Sequence, residues 1–210
     1  MNDHGDLHSE HLGPHQHGHG DGDHDHGPLI WRGLMSWLYP ILYRNPPSNR
    51  LVIEVAELAS GDRVLDIGCG PGAAVRAAAP LVEEAVGADP SGRMLRLARR
   101  RSRDLPNVRY VQTPAHHLPF EDDLFTAVWT IHSVHHWGDE EAGISEARRV
   151  LAAGGRFLVV EQFDPGKPWG VDETGIHRIT SMMGDCGFVD VEWTKHRVGR
   201  TDEVLIVGRA

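Results

Sequence analysis

The sequence predicts an α/β fold: a doubly wound, seven-stranded, mostly parallel sheet with helices on both faces and an antiparallel C-terminal hairpin. Three observations predict it. From residue 63 onward, short apolar runs alternate with helical stretches, as in chains that build a parallel sheet. Runs such as "RVLDIG" and "RFLVV" are near-continuous in apolar residues, as expected of strands covered on both faces. The last two runs, "FVDVEWTKHRV" and "TDEVLIVGR", are separated only by Gly199 and Arg200, the spacing of a hairpin.

In chain order, residues 1–27 form a tail rich in His, Asp and Gly, without apolar periodicity. Such a segment buries too little surface to offset chain entropy and is expected to be disordered. Its H-x-H spacings suit loosely held Zn²⁺, Ni²⁺ or Cu²⁺, with His15, His17, His19, His24 and His26 as candidate ligands. Acids and glycines are interleaved with the histidines, unlike a purification tag. Residues 28–47 form an apolar arm carrying Trp31, Met35, Trp37, Leu38, Tyr39, Leu42 and Tyr43. The arm reads as a lid, with a dimer contact or a membrane-surface element as alternatives. The remaining domain, 48–210, starts with a helix opened by Pro47 and Ser48, faced by Leu51, Val55 and Leu58, and stopped by Gly61.

Strands are then expected at 63–68, 84–89, 108–113, 124–131 and 156–163. Helices are expected over "GAAVRAAAP", "SGRMLRLARRRSRD" and "EEAGISEARRVLAAGG", the last ended by Gly154 and Gly155, and again near 173–186.

The bulk numbers exclude several classes. Net charge is -9, but the tail supplies six acids and no Lys or Arg, so the folded body is nearly balanced. That argues against a dedicated nucleic-acid binder. The basic run "RMLRLARRRSRD" reads as a solvated helix face. Two distant cysteines, Cys69 and Cys186, fit a reducing compartment. The longest apolar run, "GLMSWLYPILY", is 11 residues and interrupted by Pro40, too short to span a bilayer. With no signal-peptide pattern, the expected location is the cytoplasm, as a monomer or homodimer.

The strongest local signal is "VLDIGCGPG", Val64 to Gly72: a strand, a glycine-dense turn and a helix. Ligands of such sheets sit outside the carboxyl ends of the strands, and Gly68 and Gly70 have no side chain to block backbone approach. The loop alone is ambiguous. Gly68, Gly70 and Ala73 also satisfy G-x-G-x-x-G/A, with Asp89 at the place of a ribose-binding acid, so an NAD(P)-dependent oxidoreductase is an alternative. Asp66 separates the two readings. A carboxylate there opposes a pyrophosphate but suits a ligand bearing an ammonium and a sulfonium.

With these residues the chain resembles the class I S-adenosylmethionine-dependent methyltransferases, of the small-molecule type that includes the ubiquinone/menaquinone C-methyltransferases. "LDIGCGPG", "GADPSGRML", "HHLPF", "HSVHHW" and "EARRVLAAGGRFLVV" follow the family's order over roughly 50–209. The resemblance implies a Rossmann-like fold and S-adenosyl-L-methionine as cofactor. Its candidate contacts are Asp66, Gly68, Cys69, Gly70, Asp89 and Pro90 (Asp89 on the ribose), Met94 against the adenine, Ala115, His116 and Thr130. Two positions depart from the pattern. Pro114 replaces the acid that usually bonds the adenine amino group, leaving the Ala115 backbone with His116 or His117. Thr126 replaces an Asp at the start of strand four, a more structural place.

The resemblance also implies a small-molecule acceptor, lipophilic or aromatic if the arm is a lid. Proton removal from an acceptor needs a base, and histidine titrates near neutrality. His132 is the first candidate, with His136 and the strand-five acid Glu161 behind it; packing roles are the alternative for His135 and His136, and a surface strand-end carboxylate is the alternative for Glu161. A metal-handling protein built on the tail is the competing function class.

Overall fold

The computed structural model of the chain describes residues 47–167 and 170–210. The tail with His15, His17, His19, His24 and His26, and the arm up to residue 46, lie outside the described residues. The elements run α1 (Pro47–Val55), β1 (Arg63–Ile67), α2 (Ala73–Ala78), β2 (Glu84–Asp89), α3 (Gly92–Arg101), β3 (Val108–Gln112), β4 (Phe125–Ile131), α4 (Glu140–Val150), β5 (Leu151–Gln162), α5 (Glu173–Asp185), β6 (Val189–Val198) and β7 (Thr201–Arg209). One turn of 3₁₀ helix, Val134–His136, follows β4.

The seven strands order as β3-β2-β1-β4-β5-β7-β6. All pairs are parallel except β5 with β7 and β7 with β6. The expected doubly wound sheet with its terminal hairpin is therefore present. Strand order reverses between β1 and β4, the place where open α/β sheets leave a crevice for ligand.

Period-two alternation divides the core into two layers. Val64, Ala85, Ala127, Trp129, Leu158, Val160 and Leu205 pack under α1, α2 and α3. Leu65, Ile67, Val86, Val128, Phe157, Val159 and Ile206 pack under α4 and α5. Covering both faces explains why the strands read as unbroken apolar runs.

Helix starts follow side-chain capping. The Ser91 hydroxyl accepts the Met94 N–H, and Asp139 and Asp172 accept from Ala142 and Gly175.

Two boundaries differ from expectation. The α1 helix stops at Val55, short of Gly61. Glu57 takes a left-handed φ of 47°, and the Arg156 guanidinium bonds the carbonyls of Ala56 and Glu57 and the Asp62 carboxylate. Those carbonyls are spent on a side chain, so the helix ends there. The α4 helix stops at Val150 rather than at Gly154–Gly155. Leu151 already pairs with Phe125 in the sheet, and the Asp123 and Leu124 N–H groups donate to the Arg149 and Val150 carbonyls. Sheet pairing takes over from the helix there.

Thr126 shows why an Asp is dispensable at the foot of β4. Its hydroxyl donates to Asp62 Oδ1 at 2.6 Å and accepts from the Arg63 N–H at 3.2 Å.

Candidate active site

The carboxyl ends of β1 and β2 carry a loop shaped by glycine. Gly68, Gly70 and Gly72 have φ of 77°, 50° and 72°, a region that L side chains avoid. A Cβ at Gly68 would stand 1.9 Å from Ser133 Oγ, whereas one at Gly70 meets nothing within 4 Å among the described residues. The loop is tied to β2 by the Gly68 and Cys69 N–H groups, both donating to the Ala88 carbonyl at 2.8 and 3.0 Å.

From beneath, Tyr110 fills the room left by missing side chains. Cβ atoms at Gly72 and Gly87 would stand 2.2 Å from its hydroxyl and 2.7 Å from its ring. That hydroxyl bonds Ser102 Oγ at 2.8 Å.

Two buried acids line this end. Asp89 accepts the Gly70 N–H at Oδ2 and the Ser91 N–H at Oδ1, both at 2.8 Å. It thus holds the loop against the start of α3. Burial pushes its carboxyl above the usual carboxylate range, against the pull of those two bonds.

Asp66 is 3% exposed. Burial, with the Asp89 charge adding to it, pushes its carboxyl up to about 8, opposed by the Trp129 indole. Trp129 Nε1 is itself buried and lacks a hydrogen bond of good geometry. Among the described residues no cation acts on either acid. The site therefore holds two desolvated acids that lack a counter-charge, Asp66 keeping its proton up to about pH 8. That fits a cationic ligand such as S-adenosylmethionine and opposes a pyrophosphate.

The ends of β4 and β5 form the other half. Ser133 packs against Gly68 and accepts the Trp137 indole N–H at 3.1 Å. Glu161, only 1% exposed, accepts the Ser133 and Val134 N–H groups at Oε1, both at 3.1 Å. Its Oε2 pairs with His135 Nδ1 at 2.9 Å. His132 departs from strand geometry with φ 51° and places Nε2 2.7 Å from Glu203 Oε2 on β7. Beside His135 a cavity of about 340 Å³ is lined by charged groups, among them Glu140, Asp164, Lys167 and Arg178.

Residues 65–159 match the sequence profile of a family described as a methyltransferase domain. Over those residues the chain is similar to methyltransferase domains. It is 38% identical over 120 residues to the uncharacterized methyltransferase YcgJ of Bacillus subtilis (strain 168), covering 56% of this chain and 47% of that protein. It is also 38% identical over 126 residues to the ubiquinone/menaquinone biosynthesis C-methyltransferase UbiE of Ectopseudomonas mendocina (strain ymp), covering 57% and 49%. The aligned part thus spans about half the length of these curated relatives. The crystal structure of YcgJ from Bacillus subtilis superposes with a TM-score of 0.65 at 23% identity, over 77% of this chain and 97% of that one.

Within the matched region and its flanks the expected cofactor residues gather at one edge of the sheet. Gly68, Cys69, Gly70, Asp89 and Pro90 surround the loop. Cys69 is buried with its thiol pushed well up by burial and by Asp66 and Asp89, so it packs rather than reacts. Met94 lies half-buried on the first turn of α3, outside both core layers that take Leu95 and Ala98. Ala115 is buried, while His116 is exposed. Thr130 is fully buried, and its hydroxyl has no partner among the described residues.

The expected bases separate. His132 is half-buried and ion-paired; His136 is exposed, its imidazole pulled down by burial and by the neighbouring His135. Glu161 is buried rather than at the surface, and both its oxygens are engaged. It fixes the turn after β4. Sequence reading missed Ser133, Tyr110 and Glu203. A signal existed for Glu203: it falls in phase with Leu205 and Val207 on one strand face, marking an acid headed for the core.

Proposed function

We propose that the domain binds S-adenosyl-L-methionine at the carboxyl ends of β1, β2 and β4 and methylates a small-molecule acceptor. The observation that carries this reading is the pair of buried acids Asp66 and Asp89, on which no cation acts among the described residues, beside the glycine loop at Gly70. Bound there, the cofactor supplies a methyl group on a sulfonium, whose bond pair returns to sulfur on transfer.

The chain's own residues bind, orient and take up the proton. Asp89 receives ribose hydroxyls in exchange for one of its backbone donors. Met94 and the Ala115 backbone frame the adenine, since Pro114 offers no acid. Asp66, which keeps its proton while no cation stands beside it, would ionise against the cationic end. His132 removes the acceptor's proton, while Glu161 holds the Ser133–His135 turn against Gly68. Similarity to C-methyltransferases favours carbon as the methylated atom.

Calorimetry with S-adenosylhomocysteine tests the reading. Micromolar binding by the native chain and at least ~100-fold weaker binding by Asp89→Ala are expected, from two lost charge-assisted bonds. No heat with the native chain, or equal heat with the variant, overturns it. Among the described residues no group of three or more His, Cys, Asp or Glu is placed to hold a metal ion. The tail histidines remain a separate proposal for weak divalent-metal binding. Methylation that survives removal of residues 1–27 makes the tail accessory, and loss of methylation makes it part of the function.

A further inference from the structure

His132 stands where β4 breaks. Its backbone N–H still donates to the Val160 carbonyl at 2.8 Å, but its φ of 51° swings the side chain out of the strand's alternation. Non-glycine residues in this region are uncommon, although histidine is among those enriched there; the strain concentrates at functional sites. The imidazole reaches past β5 to β7, where Nε2 lies 2.7 Å from Glu203 Oε2. Glu203 is 2% exposed. Its other oxygen accepts the Ser48 hydroxyl at 3.2 Å and lies 3.1 Å from the Thr201 hydroxyl, whose one proton is shared with the Val198 carbonyl, also at 3.1 Å. With both oxygens engaged, the carboxylate has one orientation. A buried acid placed this way is costly unless its partner is needed.

We propose that Glu203 is the positioning residue of His132, holding Nε2–H so that Nδ1 is the basic atom turned to the acceptor, with Ser48 tying the pair to the first turn of α1. The inference rests on the reading of His132 as the base. The proton count closes: the acceptor's proton moves to Nδ1, Nε2–H stays on Glu203, and the imidazolium formed is balanced by the Glu203 carboxylate. A carboxylate behind a histidine fixes the tautomer and stabilises the charged ring.

The charged surroundings agree. Glu203 touches the ring from β7, and Glu161 acts on it from β5. His196 on β6 pairs opposite Glu203 but bonds Thr194 at 2.7 Å. From α1, Ser48 is uncharged, and Arg50 and Glu54 line a separate groove with His196. Burial pulls the His132 imidazole down, and the Glu203 bond and charge, with the Glu161 charge, outweigh it, so it sits above its usual value. The base is neutral only above that raised value, so the acid limb of the rate profile is displaced upward from that of a free imidazole.

The test is a nitrogen-15 NMR titration of His132 in the full chain, its signal assigned by loss in His132→Asn. In Glu203→Gln the titration midpoint should fall by about one pH unit or more. The acid limb of the rate should move down with it, and the plateau rate should drop ~10-fold or more. If Glu203→Gln does not fold, Glu203→Asp, which keeps the charge but withdraws the contact, should lower the midpoint part-way. An unchanged midpoint in a folded variant overturns the proposal. Calorimetry with S-adenosylhomocysteine on the same samples separates the two readings. A shifted midpoint without cofactor binding sinks the methyl-transfer reading and leaves the pair standing. Normal binding with an unmoved midpoint sinks the pair alone.

Discussion

The two halves of the site treat negative charge in opposite ways. At the ends of β1 and β2, Asp66 and Asp89 are buried with no cation acting on them among the described residues, and both carboxyls are driven upward by desolvation. At the ends of β4, β5 and β7, Glu161 and Glu203 are just as buried, yet each is matched to a histidine and to further donors. The second half is electrostatically complete by itself. The first is complete only when a cation arrives. Stability is therefore concentrated in one half and held in reserve in the other.

Removing an acid should accordingly have opposite effects in the two halves. The largest expected effect is at Glu161. In Glu161→Ala two backbone N–H groups and His135 lose their partner in the core, which should cost about 4 kcal/mol in denaturant unfolding. A loss below about 1 kcal/mol would erase the distinction between the halves.

Asp66→Asn should do the reverse. The folded carboxyl, at about 8, lies above its unfolded value near 3.8. The native state therefore holds a proton that the unfolded chain has released, and native stability falls as pH rises from about 4 to 8. Asparagine removes that slope. Its advantage over the native chain should grow by about 3 kcal/mol between pH 5 and pH 8, followed by thermal melts, while S-adenosylhomocysteine affinity falls. A gain independent of pH would mean that Asp66 is not protonated in the fold.

The smallest effect is at Thr130, whose buried hydroxyl has no partner among the described residues. Thr130→Val keeps the shape and removes the orphan, so the ligand-free domain should gain about 1 kcal/mol. A loss instead would mean that the hydroxyl is already satisfied without ligand.

The fold was legible because its signals are local. Runs such as "RVLDIG" announce two-sided burial, and Gly199–Arg200 announces the hairpin. The glycine loop and Asp89 were legible for the same reason: strand, turn and acid lie within 30 residues of chain. The helix ends at Val55 and Val150 were not, because Arg156 and the Phe125 pairing act from far along the sequence. Glu161 looked like a surface acid and is a buried anchor, and Glu203 drew no notice although it meets His132. Those contacts depend on β5 lying between β4 and β7, and strand order is fixed by the packing of whole layers rather than by any short stretch of chain.

The Tyr110 ring has a consequence for how this sequence can drift. It occupies space that any side chain at Gly72 or Gly87 would claim, and the Cys69 sulfur stands 2.7 Å from a Cβ at Gly87. These four positions come from the loop, the helix start and two strands, yet none of them can enlarge alone. They should be inherited as a block: a side chain at Gly72 stays strained by its φ of 72° whatever Tyr110 becomes, and Gly87 opens only where Tyr110 and Cys69 both shrink. Pairwise variation across relatives would show that coupling as correlated change among just these sites.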